Sequence, residues 1–577
     1  MNEIKYTKRK LSGYTGLLSE KIIDNFLIGL NESNPALLYM FRDRDVKPYR
    51  SLLPWSGEFA GKYITGMAYM YKLTSNEKLY SYAIDFIEKL LKYQDSDGYL
   101  GCFNKEGRMA GAYVNNIEVG PGEHRNWDAW AHYHIMYGLI LWYDLTANEK
   151  YMAAIKKMAE FIMSVFYKGK ARVIDMGSPG TNLSLYHIFG ILYGKTGDNR
   201  YMKFAKEVET DLASDKAGDY INSALLGYEF YQSREPRWEG LHTVMGIVEM
   251  YRNTKEAHYL EAAKKIFFSI LKTDVHNTGA FSTEEHAIGN PFENGNIETC
   301  CVIAYNALAI ELYKVTGDIR IIDFLERSHY NAILGYNSPS GRWATYNTPM
   351  EGEKCASAHS INFQCRPGSP ELNCCSVNAP RGVANVETWM LMENRSTVYL
   401  NFYEDMEIET DNKFKLCIKG KYPAGNTVKI NAIKENEDCK LALRIPSWSE
   451  QTEITVNGKT EIAAKSEYFI INLKADELAL IEIKFDFAYK FENGGGEYEG
   501  KKSIFRGPVL LGLGLGENHN FDFENLPAVF VKDLSEAEVI DKGYNGIEIK
   551  LKSGMILKDF CHLGFDGSKY KTYFEIR

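Results

Sequence analysis

The sequence predicts a helical toroid followed by antiparallel β-sandwich domains. Two observations carry this: a repeated helical hairpin through the first half, and a change to two-residue alternation near residue 390. The hairpin mark is Tyr-x-x-Thr, found at Tyr71–Thr74, Tyr143–Thr146, Tyr193–Thr196, Tyr251–Thr254 and Tyr313–Thr316. Successive Thr residues are 72, 50, 58 and 62 apart. Each copy ends an apolar run of helical period and is followed by a short turn and a second periodic run, as in YSYAIDFIEKLLKY. The Thr, with an acidic residue after it, is suited to capping the second helix. Five hairpins of one kind indicate an array, either an open solenoid or a closed toroid. A spacing longer than the 34–47 residues of standard helical solenoids, with long loops, favours the toroid.

The β-half reads as short alternating runs: TVYLNFYEDMEIE, FKLCIKGKY, TVKINAIKE, KLALRIPSW, TEITVNGK, YFIINLK and ALIEIKFDF. Turn signals such as Asn457-Gly458 separate them. The expected division is residues 1–50 packing across the β-domain or the barrel, 51–388 the helical barrel, 389–490 a β-sandwich, and 491–577 a second β-rich domain or completion of the sandwich. Residues 490–502 read as an exposed loop.

Composition excludes whole classes. The chain has 577 residues, 25% of them charged, with a net charge of −9, the usage of an ordinary globular protein and no electrostatic reason to expect nucleic acid. No window approaches a membrane span, and no signal peptide pattern opens the chain, so the expected compartment is the cytoplasm. Nothing marks an interface, which leaves homo-oligomerisation open.

The ten cysteines are few but unevenly placed. Cys300 and Cys301 are adjacent, and so are Cys374 and Cys375. In a reducing compartment, metal binding or catalysis competes with the alternative of two Cys-Cys pairs in a core. Glu298-Thr299-Cys300 and Asn373-Cys374-Cys375 together offer the carboxylate and thiol set that suits Zn²⁺. Glu298 and Cys300 would be aimed alike by extended backbone before a helix starting near Val302. Cys102, Cys417 and Cys439 read as buried small hydrophobes. In Gly279–His286 the carboxylates Glu284 and Glu285 sit beside Phe281, where partial burial would raise a carboxyl pKa. His134 and His242 each lie nine residues before their hairpin's Tyr, and His187 lies six before. Equivalent repeats would set them at one level around the toroid's centre, in a polar pocket suited to a polyol, although each taken singly also fits a core histidine.

These segments resemble glycoside hydrolase family 127, the β-L-arabinofuranosidase-like proteins. The matching stretches are WSGEFAGKYITG, SDGYLG, WDAWAHYH, GLHTVMGIVEMY, GAFSTEEHAIGNPF, IETCC, the NCCSVN pair, and LRIPSW…VNGK with FRGPVLLGL. The resemblance implies an (α/α)6 barrel with β-sandwich domains, and a retaining exo-acting hydrolase with a zinc-bound cysteine nucleophile. It implies Glu298, Cys300, Cys374 and Cys375 as zinc ligands, Cys374 also as nucleophile, and Glu285 as general acid/base. Glu284 is the alternative, because the spacing to Glu298 is shorter here. His134, His187, His242 and Tyr346 fall on sugar-contacting positions. Cys301 is an extra thiol, and Ser376-Val377 replaces the family's usual Pro-Pro. The substrate is then a glycoside or oligosaccharide, with a terminal β-L-arabinofuranosyl or related sugar released. Two other readings stay open: a non-catalytic carbohydrate-binding protein with structural zinc, and an α/α-barrel polysaccharide lyase using Tyr and His.

Overall fold

The computed structural model describes residues 1–30, 35–49, 52, 54–109, 126–295, 297–356, 372–543 and 546–577. The five predicted hairpins form, and every inner helix ends on the Thr of its repeat: Glu58–Thr74, Asp128–Thr146, Leu185–Thr196, Gly240–Thr254 and Thr299–Thr316. The capping differs from expectation. The Thr stays helical and its hydroxyl donates to the carbonyl four residues back, as Thr74 does to Met70 at 2.8 Å. The next residue takes a left-handed conformation, and the cap of the outer helix is the residue after that: Asn76, Asn148, Asp198 and Asp318 each accept a backbone N–H with the side chain. The Thr hydroxyl receives the N–H of this capping residue, so it orients the cap rather than being one.

A sixth inner helix, Cys374–Ala384, packs between Thr299–Thr316 and Glu58–Thr74 and closes the ring. The helix packed on its outer side, Tyr14–Ile22, comes from far earlier in the chain, near residue 20. The result is an (α/α)6 barrel. Inner helices are buried nearly all round, whereas outer helices bury one stripe, such as Leu79, Ala83, Phe86, Ile87 and Leu90 of Glu77–Leu91.

Among the described residues the β-region holds three sheets. A five-stranded sheet includes Leu391–Asn394, Thr397–Leu400, Cys439–Arg444 and Tyr468–Leu473, and the pairing of Thr397–Leu400 with Cys439–Arg444 is parallel, an exception in an otherwise antiparallel set. A seven-stranded sheet takes Met406–Thr410, Phe414–Lys419, Thr427–Lys434, Thr452–Val456, Lys459–Ala463 and Ala479–Lys484, with one face buried through Val428, Ile430, Ala432, Ile481 and Ile483. Residues Asn2–Glu3 and Tyr6–Leu11 add an edge strand to each of these sheets. A third sheet runs from Tyr489 onward. The stretch read as a loop is a hairpin, Tyr489–Asn493 with Lys502–Arg506, and only its tip is irregular. Its three consecutive glycines hid the strand at each end.

Buried ion pairs lock the β-region to the barrel. Arg444 pairs with Asp323 at 2.7 Å and with Glu326 on the outer helix Ile319–Ser328, and Tyr422 and Trp448 also donate to Glu326. The third sheet supports the loop after residue 274: Asn277 Nδ2 donates to Ser503 and Thr572, both at 2.9 Å. In that loop Gly279 has φ +77° and lies so close to Ser328 that a Cβ would come within 2.8 Å of its backbone.

One buried amine predicts a pH effect on stability. Lys354 Nζ donates to the Phe560 carbonyl at 2.9 Å and lies 4.3 Å and 4.6 Å from the Phe560 and Phe565 ring centres. Burial pushes the ammonium down to about 7. The unfolded chain therefore binds more protons above that pH, and the folded state gains stability as pH rises from about 7 to about 10 at up to about 1.4 kcal/mol per unit. Lys354→Met is expected to lose this slope, read from denaturant midpoints at pH 7, 8 and 9; parallel curves for both proteins would refute it.

Candidate active site

Two helix N-termini meet at the thiols. Glu298 is the extended residue that precedes Thr299–Thr316, a helix beginning three residues earlier than expected, so Cys300 lies in its first turn. Thr299 anchors this start, its N–H to the Tyr346 carbonyl and its hydroxyl to the Thr345 carbonyl, both at 2.9 Å. Cys374 and Cys375 open the helix Cys374–Ala384. Its cap is Asn373, whose side chain accepts the Ser376 N–H at 2.9 Å while the Ser376 hydroxyl accepts the Asn373 N–H at 2.9 Å. Ser376 thus completes a reciprocal cap. Both helix starts direct partial positive charge at the sulfurs, which favours thiolates.

The ligand atoms of Glu298, Cys300, Cys374 and Cys375 all lie within 4.8 Å of one another. Cys375 Sγ is 3.6 Å from Cys300 Sγ, 3.9 Å from Cys374 Sγ and 3.3 Å from Glu298 Oε1. Metal–sulfur bonds of about 2.3 Å in a tetrahedron set sulfurs about 3.8 Å apart, so these edges suit a zinc-sized ion. Cys301 Sγ lies outside this group, 3.9 Å from Glu298 Oε2. Cys102 and Cys439 are buried as expected, and Cys417 is half-buried.

The three thiols are not equivalent. Burial raises Cys374 and Cys375 well above the usual thiol range. Burial also pushes Cys300 up, but hydrogen bonds from Cys374 and Cys375 and the Lys62 ammonium outweigh it and hold this thiol low. Cys374 alone keeps accessible surface, 4% against 0% for Cys300 and Cys375, and its Sγ is 3.3 Å from the Tyr346 hydroxyl.

Glu284 and Glu285 occupy the two central positions of a tight turn closed by backbone bonds between Thr283 and His286, with φ of +48° and +67°. Such turns ordinarily use Asn or Gly, and a side chain there costs of order 1 kcal/mol per residue. Arg237 offsets that cost: its Nη2 lies 2.5 Å from Glu285 Oε2 and 2.7 Å from Glu239 Oε1. Glu285 also shares a hydrogen bond with Glu298, and burial raises its carboxyl above the ordinary range although Arg237 opposes this. Glu284 is exposed.

His134 and His242 converge as the spacing predicts, with ring centres 5.5 Å apart, and Trp130 stands edge-on to both at 4.4 Å and 4.8 Å. Burial holds both well below the ordinary imidazole range, so they are neutral. His134 Nε2 is buried without a hydrogen-bond partner, a donor or acceptor left for a ligand. His187 sits deeper. Tyr133 OH contacts its Nδ1 at 2.9 Å, and it lines a cavity of about 1000 Å³ among the C-terminal ends of the inner helices, away from the thiols.

Sequence reasoning missed Arg237, Glu239, Glu58, Lys62, Trp130 and Trp238. For Glu58 and Lys62 a signal existed: two charges four residues apart within an apolar inner helix.

A family model described as β-L-arabinofuranosidase, GH127 catalytic domain, matches residues 34–388, and the GH127 middle-domain model matches residues 397–487. Among solved structures, a GH127 β-L-arabinofuranosidase from Geobacillus stearothermophilus T6 is 16% identical over 99% of this chain and 100% of that one, with a TM-score of 0.77. The GH127 β-arabinofuranosidase BT3674 is 18% identical over 100% of this chain and 98% of that one, at 0.79. At such identities the structural likeness speaks for the fold. No curated protein matches the chain.

Proposed function

Because the chain belongs to the GH127 β-L-arabinofuranosidase family of glycoside hydrolases, we propose that it is a retaining exo-glycosidase with Cys374 as nucleophile and Glu285 as acid/base. The observation that carries this reading is the convergence of Glu298, Cys300, Cys374 and Cys375 beside Glu285. The expected substrate is a glycoside ending in β-L-arabinofuranose or a related sugar, as in the named GH127 structures. A divalent ion such as Zn²⁺ held by these four residues would keep their thiols deprotonated at neutral pH. The Cys374 sulfur attacks the anomeric carbon as Glu285 gives its proton to the departing oxygen. Glu285, now a carboxylate, takes a proton from water, whose oxygen displaces the sulfur and restores the original anomeric configuration. The raised Glu285 carboxyl keeps its proton at a pH where an ordinary glutamate has lost it. Tyr346 directs its hydroxyl at the same sulfur, while His134, His242 and Trp130 form a neutral polar wall for sugar hydroxyls. His187 lies a layer deeper and would act on the sugar through Tyr133. No described helix is long and apolar enough to cross a membrane.

Chelation tests the metal half of this reading. Dialysis against a strong zinc chelator is expected to abolish hydrolysis of aryl β-L-arabinofuranosides. It should also lower thermal stability, since an ion present at about 1,000 times its Kd contributes about 4 kcal/mol. Zinc should restore both. Full activity in metal-free protein, verified by elemental analysis, would exclude a metal role. A carbohydrate-binding protein would bind the sugar and release none, and a lyase would yield an ultraviolet-absorbing product from a uronate-containing polysaccharide, so the two substrates together separate all three.

A further inference from the structure

Within the cluster, Cys300 Sγ is the sulfur that accepts hydrogen bonds from nitrogen donors: Lys62 Nζ at 3.5 Å and Asn378 Nδ2 at 3.5 Å. Cys375 Sγ touches cluster atoms. Cys374 Sγ reaches outward to the Tyr346 hydroxyl. Lys62 is 1% exposed, and its ion-pair partner among the described residues is Glu58 at 3.0 Å, itself held by Trp130 Nε1. The Trp238 ring lies 5.3 Å from the ammonium. Gly61 permits this placement, because a Cβ there would come within 2.4 Å of the His134 backbone and force the two inner helices apart.

We infer that Lys62 is a positioning residue that fixes Cys300 as a permanent metal ligand and leaves Cys374 as the thiolate free to react. This rests on the metal-site reading above. Three thiolates and a carboxylate carry four negative charges, of which a divalent ion balances two. The excess sits in a buried site, where an uncompensated charge costs several kcal/mol. The Lys62–Glu58 pair turns its positive end to Cys300 and offsets part of that excess. Nitrogen donors also draw electron density into hydrogen bonds, so Cys300 becomes the poorer nucleophile. With the Tyr346 hydroxyl as its partner outside the cluster among the described residues, Cys374 keeps its lone pairs for carbon.

The test is the Zn²⁺ affinity of the full chain, by competition with a chromophoric chelator, for the wild type, Lys62→Met, Lys62→Gln and Lys62→Arg. The two neutral variants are expected to bind Zn²⁺ 10- to 100-fold more weakly, as losses of groups that support ligands do, with unchanged circular dichroism. Lys62→Arg should recover most of the affinity. Neutral variants within threefold of the wild type would overturn the inference for Lys62 alone. A wild type that binds no Zn²⁺ would instead overturn the metal site beneath it. If Lys62→Met fails to fold, Lys62→Gln gives the same reading.

Discussion

Cys374→Ser is expected to lower kcat by at least about 10⁴-fold, the scale on which removal of a covalent nucleophile acts, while far-ultraviolet circular dichroism stays that of the wild type. The argument is geometric. Cys374 is the cluster sulfur that retains accessible surface, and it lies at a helix N-terminus 3.3 Å from the Tyr346 hydroxyl. A serine hydroxyl there ionises far less readily than a thiol and is a weaker soft-metal ligand, so it cannot replace the attacking group. Zn²⁺ affinity is expected to fall too, because one of four ligands is lost. Cys375→Ser provides the control, sharing the loss of affinity but retaining measurable turnover when saturated with Zn²⁺. Turnover of Cys374→Ser within tenfold of the wild type would remove this residue from the mechanism.

Glu285→Gln should lower kcat/KM about 10²- to 10⁴-fold, the usual range for one general acid. The loss should be severe for alkyl leaving groups and slight for activated aryl ones, which depart without protonation. Because burial raises the Glu285 carboxyl, wild-type activity falls as pH rises through that titration and the acid is lost; the variant should lack this alkaline limb. Glu284→Gln is expected to remain near wild type, since that side chain faces solvent and Arg237 holds Glu285. A leaving-group dependence appearing in Glu284→Gln instead would transfer the role to its neighbour.

Much of the architecture was legible because it is local. A hairpin ending in Tyr-x-x-Thr announces itself every 50–72 residues, and alternation in TVKINAIK marks a strand whatever it pairs with. The sixth barrel position was not legible: its inner helix and the helix packed outside it are more than 350 residues apart in sequence, and neither carries the repeat. The strands at Asn2–Glu3 and Tyr6–Leu11 are likewise too short and polar to be seen without their partners.

The candidate site divides along the same line. The side-chain types that could hold a metal, a carboxylate and adjacent thiols, were readable because metal preference is a property of the side chain itself. Two of the three histidines meet where equal offsets predicted, since equivalent helices carry equal spacings to equal heights. His187, with a different offset, lies deeper. The turn at Glu284–Glu285 reverses local preference, and Arg237 and Trp238, from a distant segment, tie it down.

The sequence by itself therefore determined the helical array, the alternating sheets and the chemistry of Glu298, Cys300, Cys374 and Cys375, all consequences of residue type and short-range spacing. The tertiary structure decided the closure of the ring, the strained turn that presents Glu285, and the Lys62 contact that makes Cys300 unlike Cys374. Each of these depends on which distant segments meet in a buried interior, where charge and hydrogen bonding are set by neighbours that no local pattern names.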